Sequence, residues 1–287
     1  MNSPRDLRRR IRSISGTAQI TKAMQMVAAS KMRRAQQAAL DARGFARLLY
    51  RIQRTAVGHA PGFTHPLLDV RPVRTRAVIL VAADKGLCGA LNTNVFRVAS
   101  QFDPATTLFI TAGRRAAQFV SRSGRRLAAE FAYGDTPTFG EARAIAGLAR
   151  ELFLTGKVDE VEVVATRYVN TLSQTPVSLD FLPVAPISAE QIPGVETAGE
   201  PEDGSEVVFE PSTESVLGYL LERYLNIFLY FVLLNAKASE QSARMVSMKN
   251  ATDSAESLIK DLKLAYNKLR QGNITKELLE IAGGQAE

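Results

Sequence analysis

A single cysteine, Cys88, leaves this sequence no partner with which to close an intramolecular disulfide. That points to a reducing, cytoplasm-like compartment. Histidine is almost as scarce, and His59 and His65 with one thiol cannot supply the clustered ligands of a zinc site. No Walker A spacing and no GxGxxG turn is present, so no cofactor or metal motif can be read. Long clean apolar runs are missing as well. The most apolar stretch, Leu217 to Leu234, is interrupted by Glu222, Arg223 and Asn226, short of the roughly 20 residues a bilayer span needs, and the chain reads as soluble.

What is abundant is apolar residues, 46% of 287, enough for a sizeable core. Charge is spread unevenly. Residues 1–60 hold 13 Lys and Arg against Asp6 and Asp41, a net +11 in a chain whose total is +7. The basic start resembles a transit peptide in charge. However, Ser3-Pro4-Arg5-Asp6 has the order of a helix N-cap, a first-position proline and a first-turn acid, so a mature helix is the better reading. A basic helix suits nucleic acid, an anionic membrane surface or an acidic protein.

Two long seams frame the sequence. Stepping alternately by four and three from Leu7 to Ala56 meets apolar residues at twelve of fifteen positions, against roughly seven from composition alone. Leu220 to Leu269 repeats the pattern at thirteen of fifteen, with Leu, Ile, Met, Phe and Tyr where the first seam is mostly alanine. Each is about 50 residues, roughly 75 Å of helix. Large side chains facing small ones argue for an antiparallel coiled coil closed by an insert.

That insert reads as a central Rossmann-like α/β domain. Strands are predicted at Arg76 to Ala83, Thr107 to Thr111 and Glu160 to Tyr168, with a hairpin strand from Thr175 to Val184. Helices near 91–102, 114–123 and 139–155 alternate with them, which implies a mostly parallel sheet. The organisation is thus an N-terminal coiled-coil helix at 1–60, the α/β domain at 73–185, a Pro-, Gly- and Glu-rich linker at 186–215 and a C-terminal coiled-coil helix at 216–287.

The glycine-bearing turn Asp84-Lys85-Gly86-Leu87-Cys88-Gly89-Ala90-Leu91-Asn92 sits where phosphates often bind, but its glycines are expected to serve turn geometry and close packing. Asp84 has no acid or base partner nearby in sequence, and Cys88 no histidine in a catalytic context.

Three segments carry a family resemblance. Ile20-Thr-Lys-Ala-Met-Gln-Met-Val-Ala-Ala-Ser-Lys-Met-Arg-Arg34 closely resembles the N-terminal motif of ATP synthase gamma subunits. Gly86-Leu-Cys-Gly-Ala-Leu-Asn92 is similar to that family's second landmark. Ala238-Ser-Glu-Gln-Ser-Ala-Arg-Met-Val-Ser-Met248, Ala251-Thr-Asp-Ser254 and Tyr266-Asn-Lys-Leu-Arg-Gln-Gly-Asn-Ile-Thr-Lys-Glu-Leu278 match the C-terminal part.

The resemblance implies a non-catalytic central-stalk rotor. Its partners would be a hexameric head of catalytic and non-catalytic subunits, an epsilon-type stalk subunit and a ring of membrane ion-carrying subunits. It implies a peripheral place on the cytoplasmic face of a bacterial inner membrane. Rotation would drive the catalytic sites through states of different affinity. Met24, Cys88, Arg244, Arg270, Gln271 and Thr275 match positions that contact the catalytic subunits, and Arg223 and Tyr224 match positions near the ring. Two departures stand out: Gly283-Gly284-Gln285-Ala286 replaces the usual Gly-Ala ending, and Asn226 stands where the family has an acid. A basic coiled-coil nucleic-acid-associated protein is the alternative, one whose binding would weaken steeply with salt. A small α/β enzyme with helical extensions is a third reading.

Overall fold

The computed structural model describes residues 3–59, 63–184 and 212–283, with backbone alone at 42–59, 213–214, 276–277 and 280–283. The predicted linker at 186–215 lies almost wholly outside the described residues, as do Pro61 and Gly284 to Ala286.

Two helices dominate: α1, Pro4–His59, and α5, Thr213–Gly283. Ser3 starts α1 as its sequence predicts, its carbonyl accepting from the amides of Asp6 and Leu7 and its hydroxyl from Asp6 N. The chain divides into two compact units, Met1–Ala28 with Arg244–Glu287, and Ala29–Ala243.

In the first unit α1 and α5 run antiparallel, since Arg8 Nη2 donates to Tyr266 Oη at 2.6 Å and the Thr21 and Thr252 hydroxyls lie 2.7 Å apart. Both threonines are polar positions of the predicted seams. A hydroxyl pair at one level of an apolar seam favours a single register. Leu7, Ala18, Ala28, Met248, Thr252 and Ala255 are buried, and the remaining seam positions are half-buried.

The second unit holds the α/β domain together with residues 29–59 of α1 and 213–243 of α5. Its strands are β1 (Arg76–Val81), β2 (Thr107–Ala112), β3 (Arg126–Phe131), β4 (Glu160–Tyr168) and β5 (Gln174–Leu182), in spatial order β3-β2-β1-β4-β5. All pair in parallel except β5, which runs antiparallel to β4. Helices α2 (Leu91–Ala99) and α3 (Arg114–Arg122) cover the face carrying Val78 and Leu80. The opposite face, with Ala77, Ile79 and Val81, packs on α4 (Phe139–Leu154) and on α5. Helix α4 begins at a capping box: Thr138 Oγ1 accepts from Glu141 N, and Glu141 Oε2 from Thr138 N.

Two sequence expectations change. Strand β3, RLAAEF, was not legible, because two alanines and two charges on an exposed edge lack the β-branched signal of its neighbours. The apolar part of α5 does reach membrane-spanning length and composition, within Ser215–Thr275 at a mean hydropathy of 1.4, although the charged residues argued against it. Most of that stretch, 61%, is buried inside the protein, which accounts for its composition without a bilayer. From Leu217 to Arg244 nearly every side chain is buried or half-buried, so this part of α5 is a core helix that opens to solvent only at Tyr219 and Glu222.

Candidate functional site

Open parallel sheets bind ligands beyond the carboxyl ends of their strands, where the strand order reverses. Here that point lies between β1 and β4. The Asp84 to Asn92 turn leaves β1 at this place, and its polar groups turn inward. Asp84 Oδ1 accepts from Arg114 N at 3.0 Å and so caps α3, and Asn92 Oδ1 accepts from Ala83 N at 3.1 Å. Gly113, at φ +96°, lets the start of α3 approach β1 so closely that a Cβ would stand 2.1 Å from the Ala82 carbonyl oxygen. Leu87 takes a left-handed φ of 63°, leaving its side chain 62% exposed, while Cys88 beside it is buried. The thiol accepts from Asn92 Nδ2 at 3.6 Å. Cys88, Ala83 and Leu91 pack with Ala243 of α5.

The remaining strand ends also meet the long helices. Ser242 Oγ donates to the Thr171 carbonyl at 2.8 Å, just beyond β4, and Gln36 Nε2 donates to Tyr168 Oη at 2.7 Å. Beyond β3, Tyr133 Oη donates to the Ala82 carbonyl at 3.1 Å, and the Lys237 ammonium lies 4.8 Å from the Tyr133 ring centre. The carboxyl edge of the sheet is therefore built over by α1 and α5. His65 is accounted for locally: its Nδ1 accepts from Leu67 N and opens the short 3-10 turn Pro66–Leu68. No group of three or more metal-ligating side chains occurs among the described residues.

The residues singled out by resemblance fall into separate groups. Met24 is half-buried in α1, Arg244 is buried, and Arg270, Gln271 and Thr275 are exposed on α5. By the register of the two cross-helix contacts, Arg270 and Gln271 lie level with Ser3 and Pro4, whereas Met24 lies level with Lys249. Arg223 is half-buried with its guanidinium 5.5 Å from the Phe139 ring centre. Tyr224 is buried against Phe228, and burial pushes its phenol well above the ordinary range. Asn226 is buried too. Sequence reasoning passed over Lys237, only 2% exposed; its signal was the lone charge in a helical stretch from Ile227 to Ala238 that is otherwise apolar except for Asn235.

Long helices paired antiparallel in one unit and, in the other, a doubly wound sheet with its carboxyl edge covered by helix define the class, an α/β domain combined with a helical coiled-coil unit. The chain belongs to the ATP synthase family, whose model matches residues 3–286. Its curated relatives are named ATP synthase gamma chain. The protein of Opitutus terrae is 43% identical over 99% of this chain and 98% of its own length, and that of Heliobacterium modesticaldum 39% over 100% and 99%. A chain of the central stalk and c-ring structure of Tetrahymena thermophila mitochondrial ATP synthase is similar at a TM-score of 0.61 and 25% identity, covering 81% of this chain and 99% of that one. A chain of the Euglena gracilis mitochondrial ATP synthase, at a TM-score of 0.68 and 20% identity over 98% and 93%, shares the fold.

Proposed function

We propose that this chain is the non-catalytic central shaft of a rotary ATP synthase, turning with a membrane ring of ion-carrying subunits and driving conformational cycling in a surrounding catalytic hexamer. The observation that carries it is the first unit. There two antiparallel helices share only a narrow seam, while Ile20, Met26 and Val27 of α1 stay more than half exposed alongside the exposed bases Arg12 and Lys22. A face that is both apolar and basic suits an enclosing partner with an apolar bearing and acidic loops.

In this reading 1–60 and 216–287 are the coiled-coil segments, 73–185 the globular domain and 186–215 the linker between them. Met24, Arg270, Gln271 and Thr275 meet the catalytic subunits, joined by the loop of Cys88, and Arg244, itself buried, supports that surface from within. Because the Cys88 thiol is buried, the exposed neighbour Leu87 supplies that loop's contact surface. Arg223 approaches the ring, with Tyr224 supporting it from inside, and an epsilon-type subunit completes the stalk. The complex sits on the cytoplasmic face of a bacterial inner membrane. Contacts that must break at each step are best served by exposed pairs of about 0–1 kcal/mol.

The test places one cysteine in the acidic lip of a catalytic subunit and another at Leu87→Cys, in a Cys88→Ser background. Oxidation is expected to link the two and stop multi-site ATP turnover, and reduction to restore it. A fully linked complex that keeps steady turnover rules the rotor reading out.

A further inference from the structure

Lys237 is the deepest charge described in the molecule, 2% exposed in the middle of α5. Its ammonium donates to Glu240 Oε2 at 3.1 Å, one turn along the helix, and lies 3.9 Å from Asp135 Oδ1 in the loop after β3. The Tyr133 ring stands 4.8 Å away, and that tyrosine is itself bonded to the Ala82 carbonyl beyond β1. Asp135 Oδ2 in turn accepts from Lys31 Nζ of α1 at 2.5 Å. The hydrogen bond from Lys31 holds the Asp135 carboxyl below the ordinary range, with the charges of Lys31, Lys237 and Lys85 adding to the effect. One connected set thus joins α1, α5 and the carboxyl ends of two strands.

Stability does not account for this set. Withdrawing an ammonium from water costs several kcal/mol, and a well-packed apolar side chain of similar volume serves a core as well or better. What ion pairs and hydrogen bonds provide and apolar packing does not is direction: hydrophobic contact is indifferent to sliding, whereas a paired charge fixes one alignment. Ser242 and Gln36 add two more directional ties at the same sheet edge.

Resting on the rotor reading, we infer that Lys237, Asp135, Glu240 and Lys31 form a torque-bearing junction, the place where the α/β domain is clamped to both long helices so that they turn as one body. These are positioning residues. They touch no substrate, and their loss is felt under load.

The experiment uses the assembled complex in vesicles, comparing ion pumping with ATP hydrolysis as an opposing ion gradient is raised. Asp135 is 56% exposed, so Asp135→Asn is expected to fold and assemble. Unloaded hydrolysis should match the parent, while the pumping-to-hydrolysis ratio at the steepest gradient falls by about two- to fivefold, the factor a partly exposed pair commands. Asp135→Glu keeps the carboxylate facing both Lys31 and Lys237 and should retain most of that ratio, while Asp135→Asn, of the same size but without the charge, should not. Lys237→Met should show the larger loss; if it fails to assemble, Asp135→Asn decides. Parent-like pumping by Asp135→Asn at every gradient overturns the junction, provided the Leu87→Cys link stops turnover. If the linked complex turns over instead, the rotor reading falls and takes the junction with it.

Discussion

Helix α5 lives in two environments. Between Leu217 and Ala243 it is enclosed, with Phe228, Leu229, Phe231, Val232 and Leu233 all at most 2% exposed. From Thr252 to Leu269 only every third or fourth side chain is covered, and Leu264, Leu278 and Leu279 stand more than 60% exposed. The seam has the same period in both stretches. What differs is the neighbourhood off the seam, so periodicity fixes which face pairs with α1, and the remaining elements decide whether the other faces are buried.

That contrast breaks most readily at its extremes. Phe231→Ala should destabilise by about 3–5 kcal/mol, because a well-packed core closes poorly around a lost ring. Ile259→Ala, at a half-buried seam position of the first unit, should cost only about 1 kcal/mol, roughly half the transfer free energy of a fully buried side chain. Chemical denaturation of the two variants, followed at probes in each unit, measures both. Equal costs would mean that the thin unit is packed as tightly as the enclosed one.

A smaller effect sharpens the comparison within the thin unit. Replacing either Thr21 or Thr252 with valine should cost about 1 kcal/mol, since the remaining hydroxyl loses its cross-helix partner and keeps only a carbonyl of its own helix, while replacing both should cost less than the two losses added. Strict additivity in a double-mutant cycle would show that the hydroxyl pair contributes nothing to register.

The smallest effect is a pH dependence in the enclosed unit. Asp159 accepts from the amides of Thr75 and Arg74, both at 2.9 Å, and these bonds hold its carboxyl below the ordinary 3.8. A depressed folded value stabilises above the unfolded pKa, and this contribution disappears as pH falls through the folded value. Stability of the parent should therefore decline more steeply below about pH 4 than that of Asp159→Asn. Parallel curves for parent and variant would exclude this role for Asp159.

Much of this architecture was readable from side-chain pattern. Strand β4 spans Glu160 to Tyr168 as its valines predict, and the described seam positions from Leu7 to Ala39 and from Leu220 to Leu269 are all buried or half-buried. Strand β3 escaped because its pairing with β2 is a backbone matter that RLAAEF does not advertise. The site was less legible. Resemblance pointed to Cys88, but whether a thiol or its neighbour faces outward depends on the left-handed turn at Leu87, which no local pattern reveals. Lys237 was hidden for the opposite reason. A lysine in a helix is ordinarily solvated, and only the arrival of Tyr133 and Asp135 from a distant loop makes this one a buried partner.

The alanines of α1 have a mechanical consequence. Ala18 and Ala28 are buried in the seam of the first unit, and such small side chains let two helices approach closely. A slender rod winds further under a given torque than a stout one. If the chain turns as proposed, a pair thinned in this way is where twist would collect, so the first unit would wind more than the enclosed one under the same load.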